Sequence, residues 1–297
     1  MQVFSINIKA GKGNLFQRMY WLFKKKSYTV SLPESWEEME QSLIPAICKE
    51  LMDRKNKESS ALNICQSLCK LPNNIFLNIN PLDYVEKILP IIDWIFERSI
   101  EKPYLQSILH KNIEFCLPSE RLLNITWKEF TIADMQYSEV VKNKSVEVLN
   151  EFVAILLREK SNDVGFIDLQ NDKRVALTEW GTKTRANEFI DLKEEFKFYV
   201  LYFFMSCKEA IHEQYKAAWE SNGTVDTGVP SFENWESITT DIAETGIFGN
   251  LQEVEDTNAH KILKWLDIKK KRAAKTAAKS VHEQILANHN SHLYANR

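Results

Sequence analysis

Eight glycines and eight prolines are all the strong chain-breakers that 297 residues carry. A fold of many tight turns needs more of both, because glycine supplies positive φ and proline presets the turn's first corner. Long helices need few. The chain is therefore expected to be mainly α: a multi-helix, bundle-like protein with a small N-terminal β element and a short hairpin near 163–178. Helix starts are marked as well. Thr126-Trp127-Lys128-Glu129 and Ser35-Trp36-Glu37-Glu38 each place a hydroxyl three residues before a Glu, the sequence form of a capping box. Asn234-Trp235-Glu236-Ser237 echoes them without the Glu. Each reads as a helix with Trp at its first position and an apolar residue one turn on: Met39, Phe130 and Ile238.

Between these marks the apolar spacing suggests the following order. Residues 2–9 and 28–32 alternate as β-strands around an aromatic and basic segment, 15–26. The helix from Trp36 is expected to falter near Pro45 and resume to about Arg54. A stripe over Ala61–Leu71 gives the next helix, and Asn80-Pro81 opens another that runs to about Arg98 with a kink at Pro90. A short helix is expected from Pro103 to about Lys111, and the longest one over about Ala186–Glu220. Residues 221–231 are rich in turn formers and are read as a linker. It divides residues 1–220, the β element plus a helical domain, from residues 232–297, which end in a long basic helix (about 257–287) and a polar tail.

The formal net charge is −3, but Lys261–Lys279 holds eight Lys or Arg against Asp267 alone, a local +7 that leaves about −10 on the rest. Hydrophobic residues make up 44% and charged residues 27% of the chain, which is enough apolar matter for a core and argues against wholesale disorder. Five cysteines form no regular framework and are read as reduced thiols of a cytoplasmic protein. No signal peptide is expected at the N-terminus, and the most apolar run, Phe198–Cys207, is about half a membrane span.

The familiar chemistry-bearing motifs are absent. Gly11-Lys12-Gly13 lacks the spacing of a phosphate loop, and there is no His-Glu-x-x-His or Gly-x-Ser-x-Gly. Cys65 and Cys69 lie one turn apart on a helix without further ligands nearby, so packing is the better reading than metal binding. No catalytic residue, metal or cofactor is assigned. The basic helix is the strongest functional signal: Lys269, Lys270, Lys271, Arg272, Lys275 and Lys279 are expected to face outward, as a solvated face, a protein contact or, less favoured, a nucleic-acid contact.

Three segments carry a family resemblance: Tyr28–Leu43 (YTVSLPESWEEMEQSL), Ala61–Ile95, and Ile125–Arg158 ending in Val153-Ala-Ile-Leu-Leu-Arg158. In order and style they resemble the tail-assembly chaperones of tailed bacteriophages and related prophages, particularly those of Bacteroidetes hosts. Residues 232–266 resemble that family's C-terminal helical region. Pro45, the segment 15–26 and the basic helix depart from the pattern. The resemblance implies a non-catalytic, mostly helical protein of the host cytoplasm that binds a tape-measure or baseplate-hub protein until assembly. A structural protein of the virion (tail, baseplate or connector) is the alternative, and a nucleic-acid-binding protein the second. On the chaperone reading Trp36, Met39, Trp127, Phe130, Trp235 and Ile238 are the candidate partner-binding anchors.

Overall fold

The computed structural model describes residues 1–7, 27–52, 57–71, 73–161, 172–219 and 232–295. The protein is mainly helical, with two small antiparallel sheets. The first sheet pairs β1 (Gln2–Asn7) with β2 (Ser27–Leu32), with Gln2 opposite Leu32 and Asn7 opposite Ser27. The aromatic and basic segment between them lies outside the described residues, as do residues 221–231.

After β2 the chain departs from expectation. Trp36 opens no helix; residues 36–38 form a turn, and a short 3-10 turn (Gln41–Leu43) leads into α1 (Ile44–Met52). Pro45 is thus the second residue of a helix, where an amide proton has no intrahelical partner to lose, and it starts α1 rather than kinking it. Helix α2 (Lys57–Cys69) follows. The run from Pro81 to Glu97 is helical but irregular: the turn Tyr84–Ile88 widens to a π-helix, with the Leu89 amide bonded to Tyr84 O. Pro90 stands just beyond. Its ring and missing amide disturb the preceding turn, as the expected kink required.

The short helix expected from Pro103 to Lys111 is instead a hairpin. Strands β3 (Ser107–His110) and β4 (Ile113–Cys116) meet through Lys111-Asn112, whose φ values of 48° and 62° are the pair that a type I′ turn demands. Ile108 and Phe115 face each other and are buried. The alternation was in the sequence, but Lys-Asn is a weaker turn signal than Asn-Gly. A two-residue strand β5 (Arg158–Glu159) adds to β4.

Helices α3 (Trp127–Asn143) and α4 (Val146–Leu156) are separated by Lys144 in the left-handed region and a fresh cap, Ser145. Most of the hairpin expected near 163–178 falls outside the described residues; at its base Lys160 and Arg174 form an antiparallel bridge. The single long helix expected over 186–220 is several: α5 (Glu179–Glu188), a 3-10 turn, α6 (Glu194–Gln214) and a short turn of helix, Lys216–Trp219. The break falls at Leu192 and Lys193, whose ψ values of 133° and 134° are not helical.

Helix α6 is the central element. From Tyr199 to Phe204 every side chain is buried, so it has no solvent face there, which marks a core helix rather than an amphipathic one. It packs on α1 and α4. The buried apolar residues form one cluster that runs from Val30 to Leu263 and takes in Trp235, Ile242 and Val254 from beyond the expected linker.

The C-terminal region holds α7 (Phe232–Glu244), α8 (Leu251–Asp256) and α9 (Ala259–Ala295). Trp235 is therefore the fourth residue of its helix, not the first. A complete capping box does occur at Asn250 and Glu253, unread in the sequence: each side chain takes the other's backbone amide. The starts of α3 and α9 cap one another. Trp127 N donates to Thr257 O at 2.7 Å and Ala259 N to Ile125 O at 3.1 Å, so each helix's first orphan amide is satisfied by the residue leading into the other.

Candidate functional site

The expected helix start at Thr126 is real, and it builds the region of greatest interest. Thr126 Oγ1 accepts from Glu129 N at 3.1 Å, the first half of a capping box. The second half is missing, because Glu129 turns inward to arginines. Trp127, Phe130 and Asp134 follow at helical spacing and share the buried face of α3.

On that face the aromatic rings close into a cluster. Trp127 meets Trp235 edge to face at 5.2 Å, Trp235 meets Trp219 at 5.3 Å, and Phe130 touches both Trp219 and Trp235. Such pairs add about 0.5–1.5 kcal/mol each beyond area burial. The polar edges are anchored too. Trp127 donates its indole N–H to Thr239 Oγ1 at 2.8 Å, and Trp235 donates to Asp134 Oδ2 at 2.9 Å. The Lys208 ammonium pairs with the other oxygen of Asp134 and lies 5.2 Å from the Tyr137 ring centre.

Of the six proposed anchors, Trp127, Phe130 and Trp235 are thus brought together, fully or nearly buried, with Ile238 half-buried on the same helix as Trp235. Trp36 and Met39 are buried elsewhere. Trp36 packs on Trp94 and Tyr104 and donates to Arg98 O. The physical reason is plain: a buried indole with its N–H bonded is removed from water, and none of these five rings and side chains is a free surface in this conformation. What does open to solvent is the rim above them. A groove of about 270 Å³ lies between α3, α7 and α8, lined by Trp127, Ile132, Trp235, Thr240 and Leu251 and flanked by the Lys128–Glu255 ion pair. Leu251 is 49% exposed at its wall.

A second constellation was invisible in the sequence. Glu129, Arg158, Asp172 and Arg174 form a buried charge cluster at the end of α4. Arg158 Nη2 lies 2.9 Å from Glu129 Oε2 and 3.0 Å from Asp172 Oδ2, and Arg174 Nη2 bridges the same two carboxylates at 2.7 Å each. Arg174 also donates to Leu156 O at 2.9 Å, and Arg185 donates to Ala154 O at 3.0 Å, so guanidinium groups close the orphan carbonyls of α4. Burial pulls the Arg158 guanidinium below its usual range, with Glu129 opposing; for Arg174 the carboxylates outweigh burial and hold it above. Two positive and two negative groups neutralise one another in a site closed to solvent. That suits a staple better than acid–base chemistry. The one legible hint was Arg158 itself, placed straight after an apolar helix.

The basic residues divide by position. Helix α9 buries Ala259, Ile262 and Leu263 against the body. Asp267 Oδ1 then accepts from Ala217 N at 3.1 Å, and Lys270 donates to Ala218 O at 2.9 Å. Lys270, expected outward, is therefore turned toward the body and half-buried. Lys269 is exposed above the Trp265 ring. From Lys271 to Ser280 every residue is exposed, including the four alanines. Here α9 has left the body and stands in solvent on all sides; Lys271, Arg272, Lys275 and Lys279 belong to this part.

Among the described residues there is no group of His, Cys, Asp and Glu suited to hold a metal, and no helix long and apolar enough to cross a membrane. The four most buried thiols, Cys48, Cys65, Cys69 and Cys207, are held above their ordinary pKa by burial, as inert packing groups are. Compared with known proteins, the chain matches no family model, no curated sequence and no solved structure.

Proposed function

We propose that this protein works by stoichiometric binding of another polypeptide, as a non-catalytic assembly chaperone or adaptor, with a tail or baseplate component of a tailed phage as its client. The observation that carries this reading is the groove over Trp127 and Trp235. It has an apolar floor, threonine and carboxylate edges and a partly exposed leucine at one wall, the anatomy of a site that takes one or two apolar side chains of a partner. Its volume suits an anchor residue rather than a drug-sized substrate. The phage assignment comes from the sequence resemblance alone, which implies the class of client, a tape-measure or baseplate-hub protein.

The test is co-expression with the tail and baseplate proteins of the source phage, purification through this chain, and mass spectrometry of the complex and of finished particles. A chaperone is expected in the complex and absent from the particle. Recovery from particles at stoichiometric copy number replaces the chaperone with a structural virion protein. The variant Thr240→Trp fills the groove from an exposed position and is expected to weaken client capture at least about tenfold. Capture at native strength by this variant removes the groove from the mechanism.

A further inference from the structure

A different surface, the exposed part of α9, carries an inference of its own. We propose that residues 271–279 form a rod that lies in the major groove of double-stranded DNA, with Lys264 on the same face one to two turns before it, gripping phosphates without reading much sequence.

Four observations converge. The first is exposure: every residue from 271 to 280 is exposed, so among the described residues none covers either flank. The second is placement of charge. Lys264, Lys271, Lys275 and Lys279 share one helix face, with Lys261 and Arg272 beside it, and all six are exposed. The axial span from 264 to 279 is roughly 22 Å at 1.5 Å per residue. The only carboxylate in that span, Asp267, faces the body, where it bonds Ala217 N and pairs with Lys271. The third is thinness. Beyond the cations, residues 271–280 are Ala273, Ala274, Thr276, Ala277, Ala278 and Ser280. A helix so trimmed fits a groove about 12 Å wide, and its methyl groups match thymine methyls. The fourth is the net charge of the rest of the chain, about −10, which makes the basic stretch of α9 the chain's strongest concentration of positive charge.

Thinness also decides between DNA and a protein partner. Protein interfaces are dominated by large aromatic and apolar anchors and by Arg, and between 271 and 280 the helix offers only Arg272; Trp265, Leu266 and Ile268 lie before it, where α9 is still docked. Phosphates ask for nothing but cations at the right distance, each neutralised phosphate releasing counterions.

The experiment is fluorescence anisotropy on the full chain with a DNA duplex of about two helical turns, and with RNA duplex and single-stranded DNA of equal length. With four to five phosphates engaged, log K is expected to fall against log salt with a slope of about −4. DNA duplex should bind at least about tenfold more tightly than RNA duplex, whose deep, narrow major groove admits no helix. Lys271→Glu with Lys275→Glu and Lys279→Glu should abolish binding while circular dichroism stays unchanged. Thr240→Trp should leave DNA binding intact, so failure here and failure of the client groove are told apart. The proposal is overturned by no DNA binding at low salt, by equal affinity for RNA duplex, or by full affinity in the triple variant. Binding of polyglutamate as tight as binding of DNA also overturns it, and hands the rod to an acidic protein.

Discussion

Trp235 donates its indole N–H to Oδ2 of Asp134 at 2.9 Å, joining α7 to α3 across 101 residues of sequence. Asp134 is wholly buried, and the Lys208 ammonium on its other oxygen ties in α6. Three helices thus converge on one carboxylate. Asp134→Asn should lower stability by about 2–3 kcal/mol, because it leaves a largely desolvated lysine without its counter-charge. Adding Lys208→Met should recover part of that loss. Urea midpoints in a double-mutant cycle measure the coupling, and simple additivity would remove Lys208 from the account.

The two indoles at the ends of the aromatic cluster should respond differently to the same change. Trp127→Phe takes a donor from Thr239 and should cost about 2 kcal/mol through the lost bond and volume. Trp219 is half-buried, and its indole nitrogen is buried without a hydrogen-bond partner among the described residues. Trp219→Phe should cost under about 1 kcal/mol, since no hydrogen bond is lost. Equal losses in thermal unfolding would contradict this ranking.

In the charge cluster, Glu129→Gln leaves two buried guanidinium groups facing Asp172 alone. A loss of about 3–5 kcal/mol is expected, read from denaturant unfolding. Being buried, the cluster should give nearly the same loss at low and high salt, unlike the exposed Lys183–Glu179 pair.

How far the sequence disclosed all this depends on the range of the forces involved. Thr126 announced a helix start because capping is a contact within three residues; Ser145 caps α4 in the same way and was not read. Trp36, with the same letters, starts no helix: its ring is claimed by Trp94 and its N–H by Arg98 O, both some sixty residues away. The Lys111-Asn112 hairpin was missed because two positive φ values were needed where neither residue is glycine. The groove was half legible, since Trp127 and Trp235 were singled out, yet as exposed anchors rather than a buried floor. Asp134 could have been found: it sits on the same helix face as Trp127 and Phe130. Nothing local joined Arg174 to Glu129.

Histidine 260 links α9 to a strained turn and should make stability depend on pH. Its Nε2 lies 2.8 Å from Arg121 O, which can only accept, so Nε2 carries the proton and Nδ1 accepts from the Tyr215 hydroxyl at 3.1 Å. Arg121 and Leu122 both have positive φ, a conformation uncommon for such residues. Burial holds the His260 pKa below its ordinary 6.5. A depressed pKa means that the unfolded chain takes up the proton first. The stabilisation is therefore present above about pH 6.5 and is lost as pH falls through the folded-state value. His260→Gln should flatten the unfolding midpoint between pH 7 and 5; an unchanged slope there would assign the dependence to other groups.

Because every residue from 271 to 280 is exposed, Ala277→Gly should reduce helicity locally, by about 1 kcal/mol of propensity, and leave the global unfolding midpoint unmoved. Hydrogen exchange of the amides around 277 is the measurement. A fall in the global midpoint would show that the rod packs on the body.

The end of α4 has a temporal implication. Its last carbonyls are closed by Arg174 and Arg185, 18 and 31 residues further along the chain. A chain grown only as far as Leu156 has the residues of a helix whose terminus is still bare, and it must add one guanidinium and then the other before that terminus can be sealed. Until then the carboxylate of Glu129 waits without Arg174. This quarter of the core therefore sets only after the chain has run well past the helix and come back to it.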